Sequence, residues 1–320
     1  MTAAAPSPDG PAELEYVRCD LCGSTEQRNV VDRPVGLTVG ECADCGLAYV
    51  NPRPTWEAML AHYRSTYVVN EVANRGGLSL ATGEYRRDVR RIRATVELEG
   101  ISALDIGCGG GEFLDTLHRY GVSRLVGLEP GLAAARSALR LVPTAIVQPV
   151  TYEEAILSPS SFDLVAALNV IEHVYSPTRF LAFVYRVLKP GGYVYITTPN
   201  WDAARKYGKS WHGLNGDFEH VSYFNLCTIR HCLEKGGFNL VLADYEPFTG
   251  GLGSSQVKKP ASPGGVGAIV GLLKACLYAC PPVSRLCYGG IDLARRTVCH
   301  RDIVQGTSHE MAILARKGDL

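Results

Sequence analysis

The chain has no charge of one sign in excess: 32 lysines and arginines are balanced by 32 aspartates and glutamates over 320 residues. Without a basic surplus there is no general field to gather nucleic acid or an anionic membrane, so small molecules become the default substrate class. An export signal is also lacking, because MTAAAPSPDGPAELEY has no basic stretch followed by an apolar one. Residues 1–15 therefore read as a disordered lead, and the chain as a cytoplasmic one. No apolar run is long enough to span a bilayer. The segment VGAIVGLLKACLYACPP, residues 266–282, carries Lys274 and reads as a buried or interfacial helix that covers the substrate pocket, with contact to a hydrophobic surface as the alternative. With no export signal, the 11 cysteines point to reduced thiols or metal ligands rather than disulfides.

Four of those cysteines have a pattern. Cys19 and Cys22 in CDLCG, then Cys42 and Cys45 in ECADCG, form two C-x2-C knuckles, each followed by a glycine that permits a positive φ. A redox pair normally comes once and opens a helix, whereas these come twice and flank the β-like segment NVVDRPVGLTVG. The spacing predicts tetrahedral thiolate coordination of Zn2+, in a structural role because no position is left for water. Cys108, Cys227, Cys232, Cys276, Cys280, Cys287 and Cys299 lack this spacing and read as small buried hydrophobes.

The second pattern is ISALDIGCGGGEFLDTLHRYGVSRLVGLEP. An apolar run ends in Asp105, Gly107, Gly109 and Gly111, and a second ends in Glu129. Glycines at a strand-to-helix turn let backbone amides approach a ligand, and an acid about twenty residues on can accept hydrogen bonds from a ribose diol. From residue 101 strands and helices alternate, with candidate strands at 103–106, 124–128, 145–148, 162–168 and 193–198, and helices starting near Gly111, Gly131, Tyr152 and Ser176. Strands over 238–245 and 310–315 would close the sheet. The expected architecture is α/β, a Rossmann-like doubly wound sheet, with a zinc-binding module at 16–52, a helical lid or linker at 53–99, and the main domain at 100–320 interrupted by insertions at 199–224 and 247–308. Within the linker, a helix starting at Thr55 places Tyr63 and Tyr67 on adjacent turns, and GEYRRDVRRIRATVELEG reads as a helix with a basic, solvated face.

With FDLVAALNVIEHV and VLKPGGYVYITTPN downstream, the glycine run resembles class I S-adenosylmethionine-dependent methyltransferases. Together with the knuckles, GLAYVNPRP and HYRSTY, the stretch from Cys19 to Phe238 resembles bacterial methyltransferases of sugars and secondary metabolites. The resemblance implies that Gly107, Gly109 and Gly111 lie against S-adenosylmethionine, that Glu129 holds its ribose hydroxyls, that Asn169 lines the sulfonium and that Asp105 orients the amino end. Among zinc-knuckle sugar C-methyltransferases, a stretch similar to residues 211–225 reads Tyr-His-Glu-His and then Ser-Tyr-Phe, and serves proton transfer. This chain keeps Glu219, His220, Ser222, Tyr223 and Phe224 but has Asp217 and Phe218 in place of the tyrosine and first histidine.

Methyl transfer asks the protein to align the acceptor and, for a hydroxyl, to take its proton. His220 is the expected general base, with Glu219 or Glu172 to orient it. His173 is the competing base, read instead as a helix-start residue beside the cofactor, while His212, Trp201 and Trp211 are expected on the acceptor side. The expected activity is O-methylation of a small molecule. C-methylation, using Glu172, Glu219, Tyr223 and the indoles, is the first alternative, and a cofactor-binding regulatory or scaffold protein is the second.

Overall fold

The computed structural model describes residues 13–33, 36–66, 78–208, 211–215, 219–246 and 310–318. The expected insertion at 247–308 with its apolar segment, together with Tyr67, Asp217 and Phe218, lies outside them.

Three sheets form. The strands β1 (Leu14–Glu15), β2 (Gln27–Asp32), β3 (Thr38–Cys42), β4 (Ala48–Val50) and β5 (Arg53–Pro54) are followed by helices α1 (Trp56–Thr66) and α2 (Leu78–Arg93). The main α/β unit then runs through β6 (Ser102–Ile106), α3 (Glu112–Arg119), β7 (Arg124–Leu128), α4 (Leu132–Leu141), β8 (Ile146–Gln148), β9 (Phe162–Leu168), α5 (Pro177–Val187) and β10 (Leu188–Pro199). It continues with α6 (Trp201–Tyr207), α7 (His212–Asn215), β11 (Ser222–Tyr223), α8 (Leu226–Lys235), β12 (Phe238–Glu246) and β13 (Glu310–Lys317). The central 7-stranded sheet has the order β12-β13-β10-β9-β6-β7-β8. β6 to β10 pair in parallel, and β13 runs antiparallel to both β10 and β12. This is the Rossmann-like doubly wound fold expected from the sequence, made mixed by β13, the last strand in chain order.

Alternation along the buried strands builds the two faces. Leu104, Ile106, Val165 and Ala167 turn toward Phe180, Leu181 and Val184 of α5 and Ile229 and Leu233 of α8. Their neighbours Ala103, Leu164 and Ala166 turn toward Val89 and Ile92 of α2, Leu114 and Leu117 of α3 and Ala138 of α4. The basic-faced helix is thus a core layer of the sheet. Its Arg91 donates to Asp244 at 2.9 and 2.8 Å and to Asp88 at 3.3 Å.

Local signals account for several helix starts. Ser176 accepts from the Arg179 amide with Pro177 in the first turn, and Asn225 forms a reciprocal capping box with Thr228. The helix expected near Tyr152 does not form: only a turn spans 152–154, closed by the Ala155 amide donating to the Thr151 carbonyl at 3.1 Å. Pro159 and Ser160, the latter at φ 50, leave no length for more. The expected lead at 1–15 also ends early, since Leu14 and Glu15 pair with β5 and Arg53 bridges to Glu15 at 2.9 Å.

The third sheet has the order β11-β4-β3-β2. Its knuckle strands accept β11 from far along the chain, with Ser222 opposite Tyr49 and Tyr223 opposite Ala48. The junction is a buried cluster of Leu37, Val39, Ala48 and Val50 with Trp201, Trp211 and Tyr223. Asp20, between the knuckle cysteines, accepts from Ser176 Oγ at 2.6 Å and from the Thr178 amide at 2.7 Å, and Lys235 donates to the Leu21 carbonyl at 2.6 Å. The module is built into the main unit rather than tethered to it.

Candidate active site

At the carboxyl ends of β6, β7 and β9 a cavity of about 240 Å³ opens, where a doubly wound sheet binds its ligands. Its lining includes a glycine wall of Gly107 and Gly109 with Glu129 and Asn169, together with Trp56, Tyr63, His173 and Val174. Tyr152 and Glu153 lie on the rim that follows β8.

The glycine wall is held from beneath. The Glu129 carboxylate accepts from the Gly109 amide at 3.0 Å and from the Gly131 amide at 2.8 Å, so one side chain ties both strand-to-helix turns together. Burial pushes its pKa up while those amides pull it down. Gly109 has φ +51 and nothing within 4 Å of the place where a Cβ would stand, so the open space in front of it is cavity. Gly111 serves another purpose: at φ +91 its Cβ would meet Ala138 Cα at 2.7 Å, so glycine there lets α3 and α4 approach. Neither Gly111 nor Asp105 lines the cavity. Asp105 is buried at the end of β6, and burial, with Glu129 and Glu112 nearby, holds its carboxyl well above the usual range. Asn169 sits at φ 53, a left-handed conformation that asparagine tolerates, with its amide bonded to Thr197 Oγ1 at 3.1 Å.

Behind Trp56, Tyr63 and His173 a polar cluster draws on three distant segments. α1 supplies Trp56, His62 and Tyr63; the turn after β9 supplies Glu172 and His173; the residues before β11 supply Glu219 and His220. The Tyr63 hydroxyl and His173 Nδ1 are 3.3 Å apart, His62 Nε2 and Glu219 Oε1 2.6 Å, and Glu219 Oε2 lies 3.8 Å from His173 Nδ1. The ring of His220 meets that of His173 edge-on at 4.7 Å. His173 lines the cavity and His220 stands behind it, its carbonyl accepting from Arg33 Nη1 at 3.1 Å. Burial pushes the His173 pKa down to about 4, with the Glu219 main chain pulling the other way, so its imidazole is neutral at neutral pH.

Glu172 is wholly buried. Its Oε2 accepts from Thr198 Oγ1 at 3.0 Å, its carbonyl accepts from the Val221 and Ser222 amides, and its ligand-type atoms lie within 4.8 Å of those of His173 and His220. Burial pushes its pKa up to about 8. A carboxyl whose folded pKa is raised contributes fully below its unfolded value, and that contribution is lost as pH rises through the folded one. Stability should therefore decline between pH about 4.5 and 8, and Glu172→Gln, which keeps the neutral shape, should unfold at higher temperature than the wild type at pH 9 but not at pH 4.5. Equal differences at both pH values in thermal unfolding would show that Glu172 is ionised in the fold.

Three expected acceptor-side residues are placed elsewhere. Trp201 and Trp211 are buried in the module junction, where Trp201 Nε1 donates to Glu41 Oε1 at 2.8 Å. Tyr223 is buried between them, with its phenol pushed up to about 12 by burial. All three belong to the junction because β11 pairs with β4, a contact no local pattern signals. Conversely, the HYRSTY stretch gave His62 no role, and only the fold brings it to Glu219.

The four knuckle cysteines converge. Cys19 and Cys45 sulfurs are 3.4 Å apart, as are those of Cys22 and Cys42, and all lie within 4.8 Å of one another. A tetrahedron with Zn–S near 2.3 Å has edges of about 3.8 Å, and a disulfide would need sulfurs about 2 Å apart. The Cys45 side-chain hydrogen bond draws Cys19 down to about 5, while burial pushes Cys22 up to about 11. The same contact with Cys19 holds the Cys45 thiol well above its ordinary value, an arrangement that a divalent cation would relieve.

A glycine-lined cavity at the carboxyl ends of the parallel strands, in a sheet of this order, defines a Rossmann-like fold with a ligand site at its usual place. The family described as a methyltransferase domain matches residues 79–243, and the chain belongs to it. A ubiquinone biosynthesis O-methyltransferase of Methylobacterium sp. (strain 4-46) is 36% identical over 170 residues, 48% of this chain and 67% of that protein. The mitochondrial ubiquinone biosynthesis O-methyltransferase of Dictyostelium discoideum is 31% identical over 133 residues, 36% of this chain and 40% of that protein. The chain thus spans between 40% and 67% of the length of these two relatives. A chain from the complex between the Haloferax volcanii Trm112 methyltransferase activator and a methyltransferase shares the fold, with a TM-score of 0.51, 16% identity, and coverage of 78% of this chain and 97% of that one. Among the described residues, no helix is long and apolar enough to cross a membrane.

Proposed function

We propose that the protein transfers a methyl group from S-adenosylmethionine to a hydroxyl of a small molecule, with His173 as general base and a structural Zn2+ held by Cys19, Cys22, Cys42 and Cys45. The observation that carries this reading is the cavity itself, which Gly107, Gly109 and Glu129 share with Tyr63 and His173; we read Tyr63, His173 and the polar cluster behind them as the acceptor wall. His220, the base expected from sequence, has the supporting place behind His173.

In this reading the Cβ-free face of Gly109 gives the cofactor room, the Glu129 carboxylate, held by the Gly109 and Gly131 amides, would accept from its ribose hydroxyls, and Asn169 would border its sulfur end. The bound cofactor supplies an activated methyl on a sulfonium. His173 takes the hydroxyl proton as the acceptor oxygen forms its bond to that methyl, and the carbon–sulfur bond breaks to leave a neutral thioether. Trp56, Tyr63 and Val174 exclude water from the acceptor side. O-methylation also fits what the names of the Methylobacterium and Dictyostelium relatives say of those proteins. The aromatic wall would equally suit a carbon acceptor, so the assay must separate the two products. Four converging thiols suit a reducing, cytoplasmic setting, and a role in secondary metabolism rests on the sequence resemblance.

Calorimetry with S-adenosylmethionine, followed by product mass analysis with a panel of phenols, catechols and sugar hydroxyls, tests the reading. Gly109→Val and Glu129→Ala should each weaken cofactor binding by about tenfold or more, the first by filling the cavity and the second by releasing both turns. Wild-type affinity in both variants would remove the cofactor assignment, and an acid-stable C-methyl product would move the acceptor atom from oxygen to carbon.

A further inference from the structure

His62 opens the HYRSTY stretch and does not line the cavity, yet it makes a short contact within the acceptor wall. Its Nε2 stands 2.6 Å from Glu219 Oε1, and the two side chains are each only 12% exposed. The other Glu219 oxygen, Oε2, lies 3.8 Å from His173 Nδ1, and Tyr63, the next residue of α1, puts its hydroxyl 3.3 Å from that same nitrogen. One turn of α1 therefore reaches the cavity imidazole twice, directly through Tyr63 and indirectly through Glu219.

We propose that His62 is a positioning residue that acts through Glu219 to keep the proton of His173 on Nδ1 and leave the lone pair on Nε2. The inference rests on the reading of His173 as general base. A glutamate side chain has several rotamers, and a carboxylate oxygen 3.8 Å from a ring nitrogen acts on it as a charge, favouring the proton on that nitrogen only while the carboxylate cannot turn away; the Tyr63 hydroxyl at 3.3 Å then accepts from Nδ1. His62 supplies that restraint by occupying Oε1. Neutral imidazole can carry its proton on either nitrogen, and a base with the proton on its working nitrogen cannot accept another. Glu219 stands just before β11, whose pairing with β4 fixes the main chain on one side, so the bond from α1 is what fixes the side chain on the other.

The test uses the ligand-free full chain with 15N-labelled imidazoles, read by NMR at pH 7, with His173 assigned by its loss in His173→Gln. The wild type should show His173 predominantly as the Nδ1–H tautomer. His62→Phe, which keeps bulk and loses the donor, should move it toward the Nε2–H form. Glu219→Gln should do the same, the double variant should go no further than either, and His62→Gln, which keeps a donor, should hold the wild-type pattern. An unchanged His173 spectrum in His62→Phe and Glu219→Gln, or a wild type already in the Nε2–H form, would overturn the proposal. Because this readout needs neither acceptor nor turnover, it stands apart from the catalytic reading: a tautomer that follows His62 in an enzyme indifferent to His173→Ala would keep the positioning and discard the base.

Discussion

Replacing Cys42 with serine is expected to cost the protein its metal and most of its acceptor turnover while leaving S-adenosylmethionine affinity within a few-fold of the wild type. The wild type should carry about one zinc per chain by metal analysis. Structural zinc sites contribute on the order of 10 kcal/mol to the folding of the segments that hold them, so loss of one thiolate in four should release the knuckle strands. The cofactor wall is built from β6, β7 and β9 and does not depend on those strands. The acceptor wall does. β4 pairs with β11, the Val50 amide donates to the Val221 carbonyl at 3.0 Å, and Arg33 holds the His220 carbonyl, so the residues carrying Glu219 and His220 are fastened to the module. Chelation should therefore lower turnover and the unfolding temperature together, with calorimetric binding of the cofactor retained. A metal-free wild type with ordered knuckles would contradict the site. A second equivalent of metal that survives Cys42→Ser and disappears with His220→Ala would instead place a cation among Glu172, His173 and His220, and would remove His173 from proton transfer.

Features encoded in short stretches of chain were legible before the structure. The run from Asp105 to Gly111 marks where β6 turns into α3 because each positive φ there needs glycine, and the paired knuckles announce a thiolate cluster by spacing alone. Thr55 and Ser176 start helices through their own hydroxyls, within reach of sequence reading. What was not legible depends on pairings between distant segments. Trp201 and Trp211 look like acceptor-side aromatics until β11 joins β4 and closes a core around them. His62 and Glu219 are 157 residues apart, and no periodicity connects them. The order of His173 and His220 relative to the cavity is likewise set by how the 219–224 segment lies across the turn after β9, with Val221 and Ser222 both bonded to the Glu172 carbonyl. A histidine in a glutamate-histidine pair looks equally basic at either position in the sequence.

That order carries the sharpest catalytic expectation. His173→Ala should lower methyl transfer by about a hundredfold or more, the usual cost of losing a general base, with cofactor affinity little changed because the glycine wall is untouched. His220→Ala should act more weakly, since it removes the ring that backs His173 at 4.7 Å without removing the base itself. The pH profile separates the two residues further. Burial pushes the His173 pKa down to about 4, and a base works only when unprotonated, so wild-type kcat/KM should hold from neutral pH down to about 5 and fall only as pH approaches 4. An ordinary imidazole would give its acid limb near pH 6.5 instead. Circular dichroism over the same range would show whether the fold persists while the rate falls. A limb near 6.5 that vanishes in His220→Ala, together with normal turnover by His173→Ala, would return the base to His220 and require that residue to reach the acceptor past the ring now in front of it.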